Sequence, residues 1–105
     1  MSRSRIDALR AMLEKRPDDS RLRFGLALEY LNAGDLEEGV EQLRAYLSSA
    51  EDEGNAWGRL GAALRDLGRH GEAREAYETG IAKAESHGHP TMAEEFREIL
   101  EDMDG

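Results

Sequence analysis

The sequence predicts an all-α fold, an α-α superhelix (solenoid) of about six helices in antiparallel pairs. Three observations lead there. Leu26-Ala27, Tyr30, Gly34, Gly39, Leu43 and Leu47 fall opposite Leu60-Gly61, Leu64, Gly68, Ala73, Tyr77 and Ile81, each pair 34 residues apart. A period of that length marks an array of helix-turn-helix repeats. Apolar residues recur three or four positions apart, the spacing of one helix face. Nowhere do apolar and polar residues alternate over a sustained stretch, and Val and Ile are scarce, so no strand pattern competes. Stacked helical pairs offer an extended concave surface to a partner and do not by themselves form a catalytic pocket.

The first helix is expected from about Ser4 to Lys15, with Ile6, Leu9, Met12 and Leu13 on one face. Pro17 ends it, because the residue before a proline resists the helical region. Asp18, Asp19 or Ser20 can cap the second helix, which carries Leu22, Leu26, Ala27, Tyr30 and Leu31. Gly34 suits the left-handed residue that closes a helix. Asp35 with Glu38 reads as a capping box for a third helix that buries Val40, Leu43, Tyr46 and Leu47. Ser48 to Glu53 is a short polar connection. The fourth helix, about Gly54 to Leu67, carries Trp57, Leu60, Gly61 and Leu64, and Gly68 closes it. The fifth, about Gly71 to Glu85, carries Ala73, Ala76, Tyr77, Gly80, Ile81 and Ala84. Ser86-His87-Gly88-His89-Pro90 breaks the pattern. A last helix begins near Thr91, with Glu94 placed for another capping box, and buries Met92, Phe96, Ile99, Leu100 and Met103; Glu101 to Gly105 is expected to fray.

At 105 residues there is room for one domain. The net charge is −9, which disfavours nucleic acid, since DNA binding needs a basic footprint. Arg outnumbers Lys twelve to two, a bias that reads as genome base composition. Without cysteine there is no disulfide, thiolate nucleophile or Cys-ligated zinc. Met1 to Arg10 is polar and basic and lacks the apolar run of a secretory signal. No segment approaches the length of a membrane span. The expected location is cytoplasmic.

These residues resemble tetratricopeptide repeats. Trp57, Leu60-Gly61, Gly68, Ala73 and Tyr77 match the family pattern in a second repeat, with Gly80 in place of its second Ala. Leu26-Ala27, Tyr30, Gly34, Gly39 and Leu43 match it in a first, and Pro17 stands where an upstream repeat would end. The resemblance implies a single domain over 1–105: a leader helix at 4–16, repeats at 19–50 and 53–86, and a capping helix at 90–103. Two positions depart from the pattern. Tyr46 fills a slot that the family keeps small, and Arg23 stands in the Trp slot, with Phe24 beside it to supply bulk. Gly25, Gly39, Gly58, Gly61 and Gly80 all fall inside helices, a combined cost of about 5 kcal/mol against alanine. Close helix approach at Gly39, Gly61 and Gly80 would offset it; Gly25 and Gly58 would clear room for a ligand or reflect drift.

In this family the first helix of each repeat lines the concave groove. The resemblance therefore places Arg21, Phe24, Gly25, Leu28 and Leu31 or Asn32 in the groove from the first repeat. From the second come Asn55, Gly58, Arg59, Ala62, Arg65 and Asp66, and His89 and Ala93 follow from the last helix. Phe24 and Leu28 occupy the slots of the Lys and Asn in the family's carboxylate clamp, so docking of chaperone tails is not expected. Phe24, Leu28, Arg59, Ala62 and Arg65 are the expected partner contacts: an apolar strip flanked by two arginines, suited to an amphipathic helix or an extended apolar peptide with an acidic residue. Cover of Phe24 and Leu28 by the chain's own helices or by a second copy is the competing reading.

No enzyme is expected. Paired acids such as Glu37-Glu38 and Glu94-Glu95 lie near helix starts, where they suit the helix dipole, and neither a phosphate loop nor a nucleophile triad is present. His87-Gly88-His89, with His70, has the residue types of a metal site but reads better as a polar turn, so no metal and no cofactor is expected. The expected function is non-catalytic binding of another protein or peptide, in an adaptor or scaffold role, by a monomer or weak homodimer. The alternative is a self-assembling structural protein, in which a second copy covers the leader's apolar face.

Overall fold

The computed structural model describes residues 2–104. Six helices follow in order: α1 (Ser2–Lys15), α2 (Ser20–Asn32), α3 (Leu36–Ser49), α4 (Asn55–Asp66), α5 (His70–Ser86) and α6 (Pro90–Asp104), with no strand among the described residues. The chain forms two compact units, Met1–Ala50 and Glu51–Gly105.

In the first unit α1 and α2 share a core of Ile6, Leu13, Leu26 and Tyr30, with Leu9 and Leu22 packed against it. Among the described residues Met12 is the exposed large apolar side chain, so most of the leader's apolar face is already covered by α2. Arg10 donates to the Tyr30 hydroxyl at 2.6 Å. Asp19 caps α2, its carboxylate accepting from the Leu22 amide at 3.2 Å. Gly34 closes α2 with φ 82°, and the Asp35 amide reaches back to the Tyr30 carbonyl at 2.9 Å. Only half of the next capping box forms. Asp35 accepts from the Glu38 amide at 3.4 Å, while the Glu38 side chain instead accepts from Gln42 at 3.3 Å. α2 and α3 approach closely at Gly39, where a Cβ would overlap the Leu31 side chain.

In the second unit the core is Ala56, Leu60, Ala63 and Leu64 of α4, Ala73, Ala76, Tyr77 and Ala84 of α5, and Ala93 and Phe96 of α6. Gly61 admits the Tyr77 ring, to within 2.7 Å of where its Cβ would stand. Gly68 closes α4 with φ 80°, the Arg69 amide bonding the Leu64 carbonyl at 2.9 Å, as Asp35 does one repeat earlier. The connection before α4 is not merely polar. Asp52 is buried, 9% exposed, and accepts from the Gly54 and Ala56 amides at 2.9 Å each, which caps α4 from outside its first turn.

Two expectations for α6 are overturned. It begins at Pro90, because proline is well placed in a first turn, where its missing N–H costs nothing. Thr91 is therefore already helical, and Glu94 faces Arg97 at 3.6 Å rather than closing a capping box. Residues 101–104 do not fray but complete the helix, and Asp104 pairs with Arg74 of α5. Gly105, the end of the expected frayed tail, lies outside the described residues.

Candidate protein-docking site

In the second unit α4 and α6 enclose an open hollow of about 310 Å³, lined by Asn55, Gly58, Arg59, Ala62, Tyr77, Met92, Glu95, Phe96 and Ile99. Its geometry follows from two glycines four residues apart at the head of α4, Gly54 at its N-cap and Gly58 in its first turn. A Cβ on Gly54 would stand 2.7 Å from the Met92 sulfur, and one on Gly58 would stand 2.6 Å from the tip of the Phe96 ring. Met92 and Phe96 are themselves four apart on α6. Side chains four apart share one helix face, so two notches on α4 receive two large residues of α6 in register. Gly80 of α5 completes the seat for Phe96, with a Cβ there 2.9 Å from the ring. Phe96 then lies against Tyr77, centroids 5.6 Å apart at 58°.

The floor of the hollow is apolar and its rim is charged. Arg59 is exposed and makes no hydrogen bond or ion pair among the described residues. Glu95 stands on the α6 side. Burial pushes the Tyr77 phenol above its ordinary value of 10.0, against the opposing pull of Arg65.

The structure places the five expected contacts as follows. Arg59 and Ala62 line the hollow together with Asn55 and Gly58. Arg65 is exposed one turn further along α4 and outside the lining. Phe24 and Leu28 lie on α2 of the first unit, both half-buried. The Phe24 ring rests on Tyr46, centroids 4.9 Å apart, so part of its apolar face is spent inside the unit.

Other phase-based assignments are corrected or narrowed. Of Leu31 or Asn32, Leu31 packs over Gly39 and Asn32 is the exposed one. Gly58 lines the hollow and also seats the tip of the Phe96 ring. At Gly25 only Leu9 Cδ2 of α1 approaches the notional Cβ, at 4.0 Å, so the space beside it stays largely open. Ala93 is 1% exposed and His89 contacts Glu53 at 2.5 Å; α6 instead lines the hollow with Met92, Glu95, Phe96 and Ile99. Three of these stand in phase with the groove positions of α4, Met92, Phe96 and Ile99 lying 34 residues after Gly58, Ala62 and Arg65, but the expected groove took in only His89 and Ala93.

A second hollow, about 570 Å³, lies on the first unit between Pro17, Asp18, Asp19, Ser20, Arg23, Ala45, Ser48 and Ser49. Much of its polar lining is already engaged. Asp19 caps α2, Arg23 donates to Gln42 at 3.0 Å and to the Pro17 carbonyl at 3.4 Å, and Ser48 bonds its own helix at 2.7 Å. His87 and His89 face Glu51 and Glu53. Among the described residues no three His, Cys, Asp or Glu side chains are arranged to hold a metal ion, and no helix is long and apolar enough to cross a membrane.

Six helices, two of them closed by glycines 34 residues apart, Gly34 and Gly68, define a helical-repeat fold. The sequence model described as tetratricopeptide repeat matches residues 1–84, and the chain belongs to that family. It is 36% identical over 99 residues to TPR repeat-containing protein PA0015 of Pseudomonas aeruginosa, covering 94% of each chain. The solution structure of protein BPP2914 from Bordetella parapertussis is similar, with a TM-score of 0.79 and 31% identity over 94% of this chain and 86% of that one. Members of the family are in general protein–protein interaction modules.

Proposed function

We propose that the chain is a non-catalytic, cytoplasmic interaction module that acts as one domain and works as an adaptor or scaffold. Its occupant is a peptide segment of another protein that presents apolar side chains beside an acidic one. The observation that carries this is Arg59, an exposed guanidinium without an internal partner, at the rim of a hollow floored by Gly58, Ala62, Phe96 and Ile99. In a chain with 23 acidic and 14 basic residues, such a cation has acids in abundance to pair with. Left unpaired beside apolar surface, it suits a carboxylate carried by the ligand. Arg65 extends the positive rim along α4. Phe24 and Leu28 are proposed contacts of the first unit, through the parts of their side chains left exposed.

The test is selection from a displayed random-peptide library, followed by NMR titration of the peptides obtained. Peptides rich in Leu or aromatic residues with a neighbouring Asp or Glu are expected, shifting resonances of Asn55 to Ala62 and Met92 to Ile99. Arg59→Glu and Ala62→Trp should each weaken binding at least tenfold, about 1.4 kcal/mol. Peptides that bind without moving those resonances would sink the reading. A sedimentation mass that rises with concentration, and that Arg59→Glu abolishes, would replace the foreign peptide with a second copy of the chain.

A further inference from the structure

The two walls of the hollow are entered by two short leads. The connection Glu51-Asp52-Glu53-Gly54 runs into α4, and the turn His87-Gly88-His89 runs into α6. The leads touch. His87 Nε2 lies 3.3 Å from Glu51 Oε2, and its other nitrogen, Nδ1, lies 3.9 Å from Glu53 Oε2. His89 Nε2 lies 2.5 Å from Glu53 Oε1. Both ring nitrogens of His87 therefore face carboxylates. A neutral imidazole has one N–H and would turn a lone pair towards one of those oxygens, whereas an imidazolium presents an N–H to each, hydrogen-bonding Glu51 at 3.3 Å and attracting Glu53 by charge at 3.9 Å. The arrangement is complementary to the charged ring. Directly behind it, Gly54 adopts φ 129° and leaves the space that the Met92 sulfur occupies.

Other charged groups surround the four. Lys83 of α5 donates to Glu51 at 3.2 Å. Asp52 is turned inward onto the α4 amides. Glu85 of α5 is paired with Arg97 of α6, which also faces Glu94. The imidazoles are the groups of a type that gains or loses charge between about pH 5 and 8.

We propose that Glu51, Glu53, His87 and His89 form a proton-operated clasp. It holds the head of α6 against the head of α4 when the imidazoles are charged and slackens when they are neutral. Both carboxyls are held below their ordinary value, Glu51 chiefly by His87 and then Lys83, and Glu53 chiefly by His89, in keeping with the contacts. Met92, Glu95 and Phe96 lie in the first two turns of α6, so the clasp sets how sharply the hollow is formed. That consequence rests on the hollow being a docking site; the clasp itself does not.

The test uses the free, full-length chain and needs no ligand. Nuclear Overhauser contacts from the Met92 methyl to Gly54 Hα, and from the Phe96 ring to Gly58 Hα, are compared at about pH 5.5 and about pH 8, on either side of the imidazole range. The Met92–Gly54 contact should lose intensity at the higher pH. In His87→Gln with His89→Gln, which keeps hydrogen-bonding side chains without a titratable charge, it should stay at its weaker level throughout. Glu51→Gln with Glu53→Gln should do the same by removing the other half of the clasp. Equal intensities at both pH values in the natural chain, or an undiminished pH response in either double variant, would overturn the proposal. Peptide titrations at one fixed pH judge the docking site separately, so either idea can fail alone.

Discussion

The rings of Phe24 and Tyr46 meet across α2 and α3 with centroids 4.9 Å apart and planes tilted by 38°. Each residue stands at a departure from the repeat pattern. Tyr46 is large where the family keeps a small residue, and Phe24 sits beside Arg23, which occupies the Trp slot. The departures answer one another. Arg23 turns away to Gln42 and the Pro17 carbonyl, and the aromatic bulk lost there is restored one residue later, against the ring contributed by Tyr46.

A double-mutant cycle over Phe24→Leu and Tyr46→Leu should therefore show coupling of about 0.5–1.5 kcal/mol beyond the single losses. Urea unfolding of the four chains measures it. Additive losses would mean that the two rings are neighbours without mutual stabilisation.

Gly25 and Gly58 should respond oppositely to alanine. At Gly25 the new methyl would meet only Leu9, at 4.0 Å, so the gain in helix propensity should dominate and stabilise by about 0.5–1 kcal/mol. At Gly58 it would stand 2.6 Å from Phe96, and displacing the ring should destabilise by about 1–3 kcal/mol. Thermal or urea unfolding separates the two signs.

Asp52→Ala should destabilise the second unit by about 1–2 kcal/mol, because it removes both hydrogen bonds that cap α4. Asp52→Asn, which retains an acceptor oxygen, should cost less. Hydrogen exchange at the Gly54 and Ala56 amides should quicken first; unchanged exchange there would contradict the capping role.

Acid should weaken the second unit partly through Glu51 and Glu53. Their carboxyls lie below the ordinary value of 4.5 in the folded chain, so the unfolded chain binds those protons more tightly. The stabilisation is fully present above the unfolded value and is lost as pH falls through the lowered folded values. The urea midpoint of Glu51→Gln with Glu53→Gln should accordingly fall less than that of the natural chain between about pH 5 and pH 3.

The helices and their ends were legible because their causes are local. Gly34 and Gly68 close helices with left-handed torsions that sequence spacing alone identifies, whereas the cap of α2 was narrowed only to Asp18, Asp19 or Ser20, of which the structure uses Asp19. Asn55, Gly58, Arg59 and Ala62 were also legible as one face, since α4 keeps the repeat register. The opposite wall was within reach of the same period, since Met92, Phe96 and Ile99 stand 34 residues after Gly58, Ala62 and Arg65; the expected groove took in only His89 and Ala93, and the apolar residues beside them were assigned to the core. Asp52 was missed for another reason. It reaches over Gly54, whose φ of 129° folds the chain back, so the cap lies beyond the usual adjacent position.

The seat of Phe96 has a consequence for building with this helix. Two glycines on two different helices are moulded to one ring, so α6 is a fitted end piece and not a universal terminator. Grafted onto another repeat array, it would close the stack only if the receiving repeat brought its own glycines at the positions equivalent to 58 and 80. The mould and the plug must be transplanted as a set.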